Sequence, residues 1–205
     1  VTPPDGDPVD RTIQSYDTAL DRYLSTSGPP SGDVRDFLST FADLVDGGHV
    51  LELGSGPGWD AEYLEGRGLR VSRTDVTPGF IERLRAAGHD VRLLDARSDD
   101  FGGPYDGVLA DAVLLHLSRE QFVAALRTAR ASVVDGGVLA LTLKEGDGEG
   151  WSTAKLDLPR HFTYWRAAAV SDALASTAWT VVSIEHFSGR LEPWLFVIAR
   201  AAATP

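Results

Sequence analysis

The ten residues His49-Val-Leu-Glu-Leu-Gly-Ser-Gly-Pro-Gly58 limit the folds open to this chain more than any other stretch. His49 to Leu53 reads as a short buried strand. Gly54, Gly56 and Gly58 make a turn with no side chains in the way, and Pro57 suits the first position of a helix. A strand, a glycine turn and a helix N-terminus in that order bring bare backbone against a bound nucleoside or phosphate. Asp75, the acid that closes the next apolar run, is placed to accept hydrogen bonds from both hydroxyls of a ribose.

The pattern around this motif alternates. Strands are expected at 49–53, 69–75, 90–94, 105–110 and 138–143. Helices intervene at 57–66, from Pro78 with Phe80, Ile81, Leu84 and Ala87 inward, and from Ser118 to about Val133. Thr77 and Ser118 are N-cap residues, and Ser118-Arg-Glu-Gln121 is a capping box. Upstream, residues 1–9 read as a disordered tail. Two cap helices then fill residues 10–46, one from Val9 to Leu24 and one capped by Ser31. Downstream, 144–164 is polar and Gly-rich, then aromatic, and reads as a lid over the substrate. A helix at 165–177 follows. Two β-rich runs, 179–187 and 194–199, have no helix between them and should pair antiparallel. The expected fold is α/β: a single domain over 10–205 with a Rossmann-like, doubly wound sheet of seven strands. The sheet is mostly parallel, with N-terminal helices and a C-terminal antiparallel hairpin.

Composition narrows the function. Thirty acids against nineteen Lys and Arg give a net charge of −11, which argues against a nucleic-acid partner. The absence of cysteine removes disulfides, thiolate metal sites and cysteine nucleophiles. The five histidines show no metal-ligand spacing, so no metal is expected. No apolar run approaches the ~20 residues of a membrane-spanning helix. A cytoplasmic protein, monomeric or homodimeric, with a small-molecule partner is the expectation.

Two ligand classes use a glycine turn followed by an acid: dinucleotides and S-adenosylmethionine (SAM). The dinucleotide fingerprint places a third glycine where Trp59 stands. The chain instead resembles the class I SAM-dependent methyltransferases over roughly residues 10–200. The resemblance rests on Glu52-Leu-Gly-Ser-Gly-Pro-Gly58, Asp75, Asp95-Ala96, Tyr105-Asp-Gly-Val-Leu-Ala110, Gly136-Gly137 and the terminal hairpin. It implies that SAM binds and leaves as S-adenosylhomocysteine (SAH). It further implies that Gly54, Ser55, Gly56 and Gly58 shape the methionine site, with Glu52 making polar contacts there. Asp75 would hold the ribose, and Asp95 with Ala96 the adenine. Ala110 and Asp111 would lie near the sulfonium, with Tyr16 covering the cofactor from the N-terminal helix.

Methyl transfer from a sulfonium is an in-line displacement with a good leaving group, so alignment carries much of the rate. A base matters only where the acceptor sheds a proton. His116 and His161 are the candidate catalytic residues, and Glu145, Trp151, Arg160 and Tyr164 the candidate substrate contacts. The acceptor atom is expected to be oxygen or nitrogen of a small molecule, with secondary metabolism as the expected setting. The alternatives are a SAM-binding module without catalysis, an RNA methyltransferase and, third, a nicotinamide-dependent dehydrogenase. Asp111-Ala-Val-Leu stands where amino-directed DNA methyltransferases carry an Asn/Asp-Pro-Pro-aromatic motif, which disfavours that subclass.

Overall fold

The computed structural model describes residues 6–189 and 192–203. Seven strands form one sheet: β1 (His49–Glu52), β2 (Arg70–Asp75), β3 (Val91–Leu93), β4 (Tyr105–Ala110), β5 (Val133–Lys144), β8 (Trp179–Ser188) and β9 (Pro193–Ala201). Their order is β3-β2-β1-β4-β5-β9-β8. The first five are parallel, and β9 runs antiparallel to both β5 and β8. The expected doubly wound sheet and terminal hairpin are therefore present. The order reverses between β1 and β4, and open α/β sheets form their ligand crevice at such a point.

Alternation along the strands sets the two faces. Val50, Leu109, Val138 and Ala140 turn toward Phe37, Leu38 and Phe41 of α3 (Gly32–Val45). Leu51, Val108, Ala110, Leu139 and Leu141 turn the other way. They meet Phe122 and Leu126 of α6 (Arg119–Ser132) and Val170 and Leu174 of α7 (Ala167–Ala175). Each fully buried large apolar side chain contributes roughly 1.5–3 kcal/mol of transfer free energy. A sheet apolar on both faces must be covered by helices on both sides, as here. The Ser118 capping box is formed, with Gln121 N donating to Ser118 Oγ and Ser118 N to Gln121 Oε1.

Several boundaries differ from the sequence expectations. Helix α1 (Pro8–Thr18) starts inside the stretch expected to be a tail. Asp7 accepts from Val9 N, and Val9 is buried in the core; residues 1–5 lie outside the described residues. The single helix expected over 9–24 is two, α1 and α2 (Leu20–Thr26), because Ala19 leaves helical geometry at φ −103°, ψ 29°. Helix α4 (Trp59–Gly66) begins two residues beyond Pro57, since Gly58 at its N-cap takes φ +90°. Strand β5 starts at Val133 and runs through Asp135-Gly-Gly137, absorbing those residues as a bulge against β4. The segment read as an irregular lid holds a second, two-stranded sheet, β6 (Glu149–Ser152) with β7 (Arg160–Thr163). Helix α5 (Pro78–Ala86) lies where expected. Among the described residues, no helix is long and apolar enough to cross a membrane.

Candidate active site

A cavity of about 680 Å³ opens at the carboxyl edge of the sheet. The turn after β1 supplies Gly54 and Gly56, the end of β2 supplies Asp75, and the loop after β3 supplies Asp95 and Ala96. Asp111 follows β4, Tyr16 and Tyr23 come from the N-terminal helices, and Arg160 and Phe162 from β7. The volume lies within the ~300–1,000 Å³ usual for small-molecule sites.

Asp75 ties two walls of the cavity together. Its Oδ2 accepts from Gly56 N at 2.8 Å and its Oδ1 from Thr77 N at 2.7 Å. Burial raises its pKa, against the pull of these backbone donors. The carboxylate thus fixes the glycine turn and the start of α5 together, and it borders the cavity, where a ligand hydroxyl could reach it. Asp95 is held differently. Burial alone would raise its pKa, but Arg97 prevails and lowers it. Arg97 Nη2 lies 2.6 Å from Asp95 Oδ2 and also donates to Asp10 of α1 at 2.7 Å, tying the cap helix to this loop.

Three carboxyls crowd beneath the glycine turn. Glu52 is buried and one of its oxygens, Oε2, has no hydrogen-bond partner among the described residues. Burial lifts its pKa to about 7. Asp60, in the first turn of α4, and Asp111 face each other closely enough to share a proton, and burial raises both. Thr142 Oγ1 donates to Asp111 Oδ1 and accepts from Ala112 N at 2.8 Å. That bond holds Ala112 at φ +54°, a conformation that costs about 1–3 kcal/mol for a residue other than glycine and recurs at functional sites. An orphaned carboxylate oxygen beside carboxyls that resist ionisation is a site short of positive charge. SAM carries two cationic groups, an ammonium and a sulfonium, and so fits this chemistry.

The linkage follows from the sign of these shifts. Acids with raised folded-state pKa values keep protons that the unfolded chain has released, so stability falls as pH rises. His116, lowered to about 3 by burial and nearby cations, opposes this only below its ordinary 6.5. Lys155, lowered to about 8, opposes it only above that value. Without ligand, the melting temperature should fall between pH 6.5 and 8, through Glu52 up to about 7 and through the buried Asp60 beyond it, and saturating SAM should flatten that fall. Thermal unfolding followed by circular dichroism checks both, and a slope unchanged by SAM would remove the acid cluster from the cofactor site.

Among the candidate histidines, His116 reaches the cavity and His161 does not. His116 Nδ1 donates to the His161 carbonyl at 2.6 Å, which leaves Nε2 to accept from the Tyr16 hydroxyl at 3.1 Å. The ring is neutral, and its basic nitrogen is already occupied. The His161 side chain points to the opposite side of β7, against Trp151, with ring centroids 5.2 Å apart.

Arg160 alone of the four expected substrate contacts lines the cavity. Strand alternation explains the others. At the end of β5, Lys144 turns inward while Glu145 turns out to His186 at 2.9 Å and to Arg166. In β6, Ser152 takes the inward place and Trp151 the outward one. Tyr164 packs beside Gly146, away from the cavity wall. Glu52, Ser55, Gly58 and Ala110 support the site from behind. Ser55 Oγ accepts from Thr74 N at 3.2 Å, and Ala110 is core. The sequence reading missed Asp60, which reads as an ordinary favourable acid in a first helical turn. It also missed both lysines.

Comparison with known proteins agrees with this geometry. Residues 50–137 match the family model described as a methyltransferase domain. Protein-L-isoaspartate O-methyltransferase of Chlorobaculum parvum is 28% identical over 142 residues, 65% of this chain and 60% of that protein. The chain therefore spans less than two thirds of that relative's length. The CcbJ methyltransferase of Streptomyces caelestis superposes with a TM-score of 0.76 at 21% identity, covering 95% of this chain and 100% of that one. The 1,6-didemethyltoxoflavin-N1-methyltransferase of Burkholderia thailandensis gives 0.69 at 17% identity, covering 99% and 93%. At such identities the structures speak for the fold. The fold is the Rossmann-like one of these structures, and the matched methyltransferase-domain segment holds the glycine turn. Over that segment and in its fold, the chain is similar to the class I SAM-dependent methyltransferases.

Proposed function

We propose that the protein transfers a methyl group from SAM to an oxygen or nitrogen of a small-molecule acceptor, by in-line displacement at the carboxyl edge of the sheet. The observation that carries this reading is the cavity itself, which joins Gly54, Gly56 and Asp75 on one side to Arg160, Phe162 and Trp194 on the other. Bound SAM would supply an activated methyl group. Asp75 would accept from the ribose hydroxyls, and Asp95 and Ala96 would border the adenine. The acid cluster of Glu52, Asp60 and Asp111 would neutralise the methionine ammonium. The Burkholderia structure, which holds both 1,6-didemethyltoxoflavin and SAH, supports a small acceptor beside the cofactor in this fold.

The protein's own part is mainly placement. His116 is a poor base, because burial holds it neutral and Tyr16 occupies its free nitrogen. Its work in this reading is to orient Tyr16, whose hydroxyl also accepts from Arg160 Nη1 at 3.1 Å. Alignment of acceptor, methyl carbon and sulfur then supplies the rate. Secondary metabolism is the setting we favour, with the protein in the cytoplasm. Incubation with methyl-labelled SAM and a mixed metabolite extract should place label in a low-mass product. SAM binding without any transfer of label would identify a non-catalytic module instead, and label in RNA would redirect the assignment.

A further inference from the structure

The only two lysines in the sequence, Lys144 and Lys155, both line the cavity, together with Arg22 and Arg160. Such a concentration of cations is notable in a chain of net charge −11. Two of the four are already neutralised. Arg22 pairs with Asp157 at 2.7 Å, and Lys144 pairs with Glu192 while its Nζ sits 3.4 Å from the centre of the Phe162 ring.

Arg160 and Lys155 are not. Arg160 is only 7% exposed, yet its contacts are the Tyr16 hydroxyl and the faces of Tyr16 and Phe162, at 5.4 and 5.1 Å. Its Nε is buried without an acceptor, and it makes no ion pair among the described residues. Lys155 Nζ lies 4.1 Å from the centre of the Tyr23 ring and likewise makes no ion pair among the described residues. Burial lowers its pKa to about 8, Arg160 adds to that, and Asp111 opposes it. A buried cation and a half-buried one that repel each other, neither in an ion pair among the described residues, are costly unless a ligand supplies the anion.

Resting on the methyl-transfer reading above, we propose that the acceptor is a carboxylic acid with a flat apolar body, its carboxylate seated between Arg160 and Lys155. Guanidinium forks match carboxylates in two-point geometry. The body would lie against Tyr16, Tyr23, Phe80, Phe162 and Trp194, which line the same cavity. Asp111, Asp157 and Glu192 also border it, so a singly charged carboxylate is favoured over a doubly charged phosphate. The carboxylate is the handle by which the acceptor is held and oriented.

Calorimetry with benzoate, benzamide and phenylphosphonate on SAH-saturated protein tests this. Benzoate should bind at least about tenfold more tightly than benzamide, and Lys155→Gln should weaken benzoate about tenfold while SAH affinity holds. Arg160→Gln should weaken it similarly. Arg160→Lys, which keeps the charge in the buried position, should recover part of the loss and guards against misfolding. Lys155 is faced by Arg22 and Tyr23 of α2, Asp111 after β4, Asp157 of its own loop and Arg160 of β7. A bound anion holds its proton on, so benzoate affinity should fall as pH rises through about 8. Equal affinity for benzoate and benzamide, or a Lys155→Gln variant that binds benzoate normally, overturns the proposal. Tighter binding of phenylphosphonate than of benzoate overturns the choice of carboxylate. Benzoate selectivity in cofactor-free protein that fails to bind SAH would retain the anion seat and remove the methyl-transfer reading.

Discussion

Replacing Asp75 by Ala should weaken SAM binding by about 100-fold, roughly 3 kcal/mol, as measured by calorimetry. Two effects add. The first is direct, since a carboxylate that accepts from two ribose hydroxyls contributes charge-assisted bonds stronger than neutral ones. The second is through the backbone. Asp75 holds Gly56 N on one oxygen and Thr77 N on the other, so its loss frees the glycine turn from the start of α5. The buried Thr77 N and the half-buried Gly56 N would then lose this partner, and the melting temperature should fall as well. Asp75→Asn separates these effects poorly, which is itself informative. An amide accepts on one atom only and would oppose its NH2 to one of the two donors, so Asn should behave nearly as badly as Ala. Wild-type SAM affinity in a folded Asp75→Ala variant would take this residue out of the site.

Where the sequence was readable, the reason is periodicity. From His49 to Leu143, β1, β4 and the end of β5 are apolar runs, Asp75, Asp95 and Asp111 mark the ends of three strands, and α5 and α6 have apolar stripes, so local pattern and global fold agree. Asp75 was readable because its position is set by the end of a strand. The lid was not, because nothing local makes 144–164 a sheet. Strands β6 and β7 are poor in strand signals, and long-range bonds help seat them. His161 N donates to Thr12 Oγ1 and the Pro159 carbonyl accepts from Ser15 Oγ, both from α1. Such partners do not show in a sequence window.

The same limit explains the misplaced substrate contacts. Glu145 and Trp151 lie in the segment that borders the cavity, but each stands one residue from the side chain that faces it, Lys144 and Ser152. In a strand a shift of one residue reverses the face, and composition alone does not fix which face is inward. The break at Ala19 was hidden for a related reason. The apolar stripe from Ile13 to Leu24 continues through it, and only the backbone shows the break at Ala19. Asp60 shows a further case, in which a residue with an adequate local explanation has a second role visible only once Asp111 is beside it.

Gly56→Val should abolish measurable SAM binding, a loss of more than about 100-fold, while the protein stays folded. The three glycines of the turn are not equivalent. A Cβ on Gly54 would come within 2.6 Å of Val113 Cγ2, and one on Gly58 within 2.7 Å of Leu84 Cδ2, so substitution at either strains packing inside the protein. A Cβ on Gly56 meets no atom closer than the Gly54 carbonyl at 4.0 Å, and Gly56 lines the cavity. A valine there grows into the space that the methionine part of SAM needs. The backbone adds a smaller cost, since Gly56 has φ +51° and a β-branched residue disfavours that region by roughly 1–2 kcal/mol. The melting temperature should therefore drop modestly, and far less than binding does. Gly56→Ala has a similar backbone cost but fills less of the cavity, so it should retain more affinity than Val. Equal losses for Ala and Val would assign the effect to the backbone, and retained SAM affinity in folded Gly56→Val would show that the cofactor does not lie over this turn.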